Sequence, residues 1–250
     1  MVYFSPLHYT PSMSVLDSLD AHIILMVFIP ALVFESAFNA DWYIFKRQLG
    51  KILILAAPVL AVCVALTAVV MFYLLKIPFL EGTTGGFTWP QAILFGSIVS
   101  ATDPIAVVSM LKELGASKRL ATTIEGESLL NDGTAMVVFL VMLEIVEGLE
   151  PNVWTIIIKF LRLALGGPII GWIFGVILTT WLARINKQPV LVANLTIVMS
   201  YICFFVAQHE YVDTSGILAL VVLGLYTSHY GKPHIDTETQ VAIHTIWNYI

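Results

Sequence analysis

Ser100-Ala101-Thr102-Asp103-Pro104 lies inside an apolar stretch, Trp89 to Leu111, that is long enough to cross a lipid bilayer as a helix. Proline removes a backbone N–H and disfavours helical geometry at the residue before it, here Asp103. A helix that breaks at membrane depth frees amides and carbonyls where no water can reach them. Such backbone is tolerated only where it is buried in protein or lines a cavity, which is how transporters build midplane ion sites. The motif therefore predicts a broken membrane helix with an ion-binding role for Asp103. By itself it also fits a proline kink with a capping aspartate, so the flanking sequence has to decide.

The next apolar stretch opens Glu125-Gly126-Glu127-Ser128-Leu129-Leu130-Asn131-Asp132-Gly133. At helical spacing Ser128 and Asp132 are i and i+4, and Ser128 and Asn131 are i and i+3, so a hydroxyl, an amide and a carboxylate share one face. Oxygen ligands gathered this way suit a hard cation such as sodium. Glu127 lies to one side of that stripe and reads first as the partner of a basic residue that locks two helices. Asp132 has no Lys or Arg at comparable depth in the sequence, and an unpaired carboxylate in a low dielectric can hold either a proton or a cation. Ionisable groups within spans are expensive and mark function. On that ground Glu35 joins Asp103, Glu127 and Asp132 as a candidate.

The rest of the chain reads the same way. Its 250 residues are 58% hydrophobic and 12% charged, roughly half the charged share of a soluble domain, and the mean hydropathy is +0.89. This predicts an all-α, multi-pass membrane protein. A polar lead-in, residues 1–20, precedes a first span from Ala21 to Phe38, which lacks the basic leader and small-residue cleavage site of a signal peptide. Further spans are expected at Leu49–Leu75, Trp89–Leu111, Glu125–Val146, Val153–Leu182, Val190–Ala207 and Gly216–Ser228, with another beginning near Val241. Lys46, Arg47 and Lys51 fall in the first connection, Lys112, Lys118 and Arg119 in the third, Arg184 and Lys187 in the fifth and Lys232 in the seventh. The even connections hold only Lys76, so the odd ones are assigned to the cytoplasm. Lys159 and Arg162, near the outer end of the long fifth span, are expected to snorkel to the interface.

Other chemistries find little support. A net charge of -5 with 12 Lys and Arg offers no basic stripe for nucleic acid. Cys63 and Cys203 both lie in apolar stretches, away from any disulfide framework or paired zinc ligands. The six histidines show no metal spacing; His209 and His229 are candidates only for pH sensing. Asn194-Leu195-Thr196 matches a glycosylation acceptor but lies within a span. Gly167, Gly171 and Gly175 form a small-residue stripe, expected to let another helix of the same chain approach, with a dimer seam as the alternative.

Taken together, Phe95-Gly96-Ser97-Ile98-Val99-Ser100-Ala101-Thr102-Asp103-Pro104-Ile105-Ala106-Val107-Val108 and Gly126-Glu127-Ser128-Leu129-Leu130-Asn131-Asp132-Gly133 resemble the paired signatures of the sodium/proton exchanger family of monovalent cation:proton antiporters. Lys112-Glu113-Leu114-Gly115-Ala116 resembles the plant salt-tolerance and sperm-type members, Pro30 to Phe38 an earlier span of the family, and Ser215 to Leu220 a later one. The resemblance implies an inverted-repeat antiporter fold with the broken helix at Asp103-Pro104, and exchange of sodium for protons by alternating access. It implies no enzymatic chemistry and no cofactor. It makes Asp132 the carboxylate that alternately binds cation and proton. Asn131 marks the asparagine-aspartate type associated with electroneutral exchange. Thr102 through its backbone, Asp103, Ser128 and Glu35 match positions that complete or surround the ion site, with sodium held at Asp132, Asp103 and Ser128. Glu127 matches a glutamate paired with an arginine on a later helix.

The family continues through further helices beyond Ile250, so residues 21–250 are expected to form a partial transport domain. A homodimer in the full-length form, and a multi-pass position in the plasma membrane, are the corresponding expectations. A truncated, non-transporting homologue or assembly subunit is the alternative. A different class, an intramembrane aspartyl protease, requires a glycine-any-glycine-aspartate run, whereas Asp132 follows Leu130-Asn131.

Overall fold

Helices begin where a side chain can hold the first free amides. The computed structural model describes residues 21–75, 88–148, 153–185, 188–209 and 211–234, with Gln240 and Trp247. The lead-in, Lys76, Lys187 and, Trp247 apart, the span expected from Val241 lie outside these. The first helix, α1, runs Ala21–Asn39. Asp41 then caps α2 (Trp42–Ile54), accepting from the amides of Tyr43 and Ile44 at 3.1 and 3.4 Å. Pro58 cannot donate to the turn before it, and the chain absorbs the missing bond in a π turn, Leu55–Val59, before α3 (Leu60–Leu75). The three pieces make one apolar rod of 34 residues.

Thr88 opens α4 (Trp89–Ser100) in a capping box with Gln91. The chain leaves helical geometry over residues 101–104 and resumes as α5 (Ile105–Glu113). The break expected at Asp103-Pro104 is therefore present. Ser117 caps α6 (Lys118–Val146), α7 runs Val153–Leu182, and α8 runs Pro189–Gln208. Ser215 caps α9 (Gly216–Tyr226), which continues as a π turn, Thr227–Gly231. No strand occurs among the described residues.

The helices at Trp42–Leu75, Lys118–Val146, Trp154–Leu182 and Pro189–Gln208 are long and apolar enough to cross a membrane; Met26–Asn39 and Gly216–Gly231 are shorter apolar helices. Two boundaries differ from the sequence expectation. Lys46, Arg47 and Lys51 stand on α2 itself, and Lys118 and Arg119 on the first turn of α6. A charged residue near a helix end can be helical and still reach the interface, so the basic residues extend the spans instead of lying between them. On α2 the inward face is Phe45, Gln48 and Ile52, while Lys46 and Arg47 point outward.

At the centre lies α9, apolar on all sides and buried from Gly216 to Val221 and again at Leu223 to Leu225, as a helix enclosed by others must be. It packs with α1, α7 and α8 around Phe34, Phe38, Leu178, Cys203, Phe204 and Leu220. The glycine stripe faces it within the chain: a Cβ on Gly171 would run into the carbonyl of Ala219, one on Gly167 would meet Ser215 and Leu218, and one on Gly175 the ring of Tyr226. Close backbone approach replaces the hydrophobic drive that lipid cannot supply. Outward faces carry exposed Leu66, Val70, Ile158 and Leu165, as lipid-facing surfaces do.

The two basic residues of α7 do more than snorkel. Lys159 pairs with Glu144 of α6. Arg162 donates to the carbonyls of Tyr211 and Val212 at 3.2 and 2.8 Å and lies 3.7 Å from Asp213, holding the turn before α9 in which Asp213 takes a positive φ of 46°.

Candidate functional site

At the break, Ala101 turns extended (φ -76°, ψ 102°), so carbonyls that a continuous helix would engage are left facing α6. Two side chains of α6 meet them. Asn131 donates through Nδ2 to the Ser100 carbonyl at 3.3 Å, and the Ser128 hydroxyl donates to the Thr102 carbonyl at 3.4 Å. Both residues are buried. Their spacing of three puts them on one helical face, and that face is what docks α6 against the break.

Asp132 is the next residue along, half-buried. It borders a cavity of about 550 Å³ together with Glu35 and Ser36 of α1, Asp103 at the break, and Ser128; Ile29, Leu32, Val33, Leu129 and Ile217 supply the apolar wall. A second cavity, of about 300 Å³, shares Ser36, Asp103 and Ser128 with the first. It extends past Ser109 and Glu125 to Asn39 and Ala40, at the ends of α1 and α6 that the Lys and Arg pattern assigns to the cytoplasm. Four carboxylates, Glu35, Asp103, Glu125 and Asp132, thus line the two cavities.

Of the residues expected from sequence, Glu35, Asp103, Ser128 and Asp132 come together around one cavity. Thr102 joins through its carbonyl. Asn131 joins through its bond to Ser100, and its buried Oδ1 makes no hydrogen bond among the described residues. Glu127 stays outside the cavity lining, half-buried, and among the described residues it forms no ion pair. Ser36, Asn39, Ser109 and Glu125 were missed. Ser36 adjoins Glu35 and Asn39 follows it by three, a spacing that could have flagged both. Thr134 was missed too. Its hydroxyl donates to the carbonyl of Ala56, 2.6 Å away in the π turn, a contact between residues 78 apart that no local pattern announces.

The donor set combines carboxylates, a hydroxyl and a backbone carbonyl, a hard-oxygen environment suited to a hard cation. Among the described residues no three His, Cys, Asp or Glu side chains converge as a metal centre.

Residues 5–250 match the family model described as sodium/hydrogen exchanger, transmembrane. Sodium/hydrogen exchanger 7 of Arabidopsis thaliana is 39% identical over 94% of this chain and 20% of its own length. Sodium/hydrogen exchanger 8 of the same plant is 35% identical over 92% of this chain and 29% of its own. The low-affinity Na(+)/H(+) antiporter NhaS1 of Synechocystis is 31% identical over 94% of this chain and 42% of its own. The chain thus spans less than half the length of these relatives. Among solved structures, the sodium proton antiporter MjNhaP1 from Methanocaldococcus jannaschii superposes with a TM-score of 0.77 at 19% identity, over 96% of this chain and 56% of that one; the likeness is one of fold. With the family match running through residue 250 and an antiporter's fold recovered independently of it, this chain belongs to the sodium/hydrogen exchanger family.

Proposed function

We propose that this chain forms the ion-binding part of a secondary transporter that exchanges sodium, or another monovalent cation, for protons by alternating access, with Asp132 as the exchanging carboxylate. The observation that carries this reading is the convergence of Glu35, Asp103, Ser128 and Asp132 on one cavity at a helix break. Sodium would be held by Asp132, Asp103 and Ser128, with the Thr102 carbonyl beside them and Glu35 and Asn131 at the margin. The second cavity supplies the cytoplasmic route to that point.

A single carboxylate that surrenders one proton for one sodium ion carries the same charge in both directions. Exchange is then electroneutral, in keeping with the uncharged Asn131 beside Asp132. Binding is mutually exclusive because proton and cation need the same oxygens, which makes the coupling obligatory. Glu127, which forms no ion pair among the described residues, would pair with an arginine on a later helix of the full-length protein. We further propose that the full-length protein is a homodimer in the plasma membrane, with about seven crossings, and the start of another, drawn from this chain.

Reconstitution of the full-length protein in proteoliposomes tests the reading. An imposed sodium gradient should move internal pH, and clamping the membrane potential with potassium and valinomycin should leave the rate unchanged. A lack of sodium-dependent pH change would reject the transporter reading; a rate that follows the potential would reject electroneutrality.

A further inference from the structure

Where α7 ends and α8 begins, a groove of about 410 Å³ opens on the outside of the bundle, lined by Trp181, Arg184 and Ile185 on one side and Leu191, Asn194 and Val198 on the other. None of these residues lines the cavities at Asp132. The walls themselves are almost wholly apolar, and two exposed polar residues, Arg184 and Asn194, border them. Arg184 is exposed two residues beyond the end of α7. Among the described residues it forms no ion pair, and the connection Ala183-Arg184-Ile185-Asn186-Lys187-Gln188 contains no acid. Asn194 is exposed on α8, five residues beyond its first, hence about 7 Å deeper along the helix axis.

That depth matters. The interfacial layer of a bilayer is about 5–7 Å thick on each side. With the helix ends at the level of lipid phosphates, Asn194 stands at the level of the glycerol esters, and Val198, one turn on, beside acyl chains. A polar amide turned toward hydrocarbon is costly unless an acceptor meets it, and ester carbonyls are acceptors. Trp181, 50% exposed, borders the groove where indole rings favour the headgroup layer. The Lys and Arg pattern puts this end at the cytoplasmic leaflet, which carries anionic lipid.

We infer that this groove binds one anionic glycerophospholipid of the cytoplasmic leaflet, its phosphate on Arg184, an ester carbonyl on Asn194 and an acyl chain along Leu191 and Val198. Charge complementarity selects this occupant. A second copy seated here about a two-fold axis would bring basic connection against basic connection.

The test offers the full chain, purified in detergent, an equimolar mixture of phosphatidylglycerol and phosphatidylcholine with identical acyl chains, and reads retained lipid by native mass spectrometry. Phosphatidylglycerol should be retained about fivefold over phosphatidylcholine, the preference expected from one basic residue near the surface. Arg184→Gln should bring the ratio close to one, Arg184→Lys should restore most of it, and excess inorganic phosphate should leave the lipid bound. Equal retention of the two lipids by the unaltered chain overturns the inference and needs no variant to fold. So does an unchanged preference in Arg184→Gln, displacement by inorganic phosphate, or a disulfide forming between two Trp181→Cys chains in place of lipid binding.

Discussion

Asn131 has its amide nitrogen engaged by the Ser100 carbonyl at 3.3 Å, while its Oδ1 is buried without a hydrogen bond among the described residues. The first contact holds α6 against the break. The second leaves an acceptor one residue from Asp132. Replacing Asn131 with the similarly sized Leu removes the donor and leaves a membrane-depth carbonyl unmet, at an expected cost of about 1 kcal/mol. Ser128→Ala should cost less, because its 3.4 Å contact with the Thr102 carbonyl is already long for a hydroxyl bond. Thermal unfolding of the purified protein in detergent checks the order; a larger drop for Ser128→Ala than for Asn131→Leu would contradict it. This face was legible in the sequence because spacings of three and four are local. The carbonyls it meets, 31 and 26 residues away, were not, since only packing selects them. Glu127 was legible as an intramembrane acid, and its proposed arginine partner is not among the described residues.

At the scale of single elements, proline was the most informative residue in one place and was overlooked in another. Pro104 announced the break because Asp103 precedes it within a span. Pro58 also removes a donor within a span, yet there the chain stays helical and takes up the defect as a π turn, with Thr134 donating to the carbonyl of Ala56. Proline tells where a ladder bond is lost; neighbouring helices decide whether the chain bends, bulges or opens. If the Thr102-Asp103-Pro104 geometry presents backbone to the ion, Pro104→Ala should tighten the helix and raise the apparent KM for sodium, whereas an unchanged KM in vesicle transport would make the proline a kink alone. The glycine stripe is a second element-scale case. A side chain at Gly171 would collide with the Ala219 backbone, and α9 is enclosed and has little room to yield. Gly171→Val should therefore destabilise the fold by at least about 1–3 kcal/mol. A wild-type melting temperature for that variant would mean that α7 and α9 are not held this closely.

For the molecule as a whole, hydropathy and the alternation of Lys and Arg were enough to predict an all-α, multi-pass bundle, because lipid leaves a backbone few other choices. They could not reveal that α9 would be the enclosed centre, that α2 and α6 would start several residues before their apolar runs, or that two adjoining cavities would lead from Asp132 toward Asn39 and Ala40 at the end of α1. Those follow from which helix faces meet, and a single sequence does not display that. The central claim is that proton and cation compete for one carboxylate, Asp132. The most direct measurement is equilibrium binding of radioactive sodium to the purified full-length protein over a range of pH, with Asp132→Asn alongside. The account predicts that sodium binds at alkaline pH, that its apparent Kd rises about tenfold per pH unit once the carboxylate holds its proton, and that Asp132→Asn, folded and monodisperse, binds no sodium at any pH. Sodium binding by Asp132→Asn with the unaltered affinity and pH dependence would contradict it.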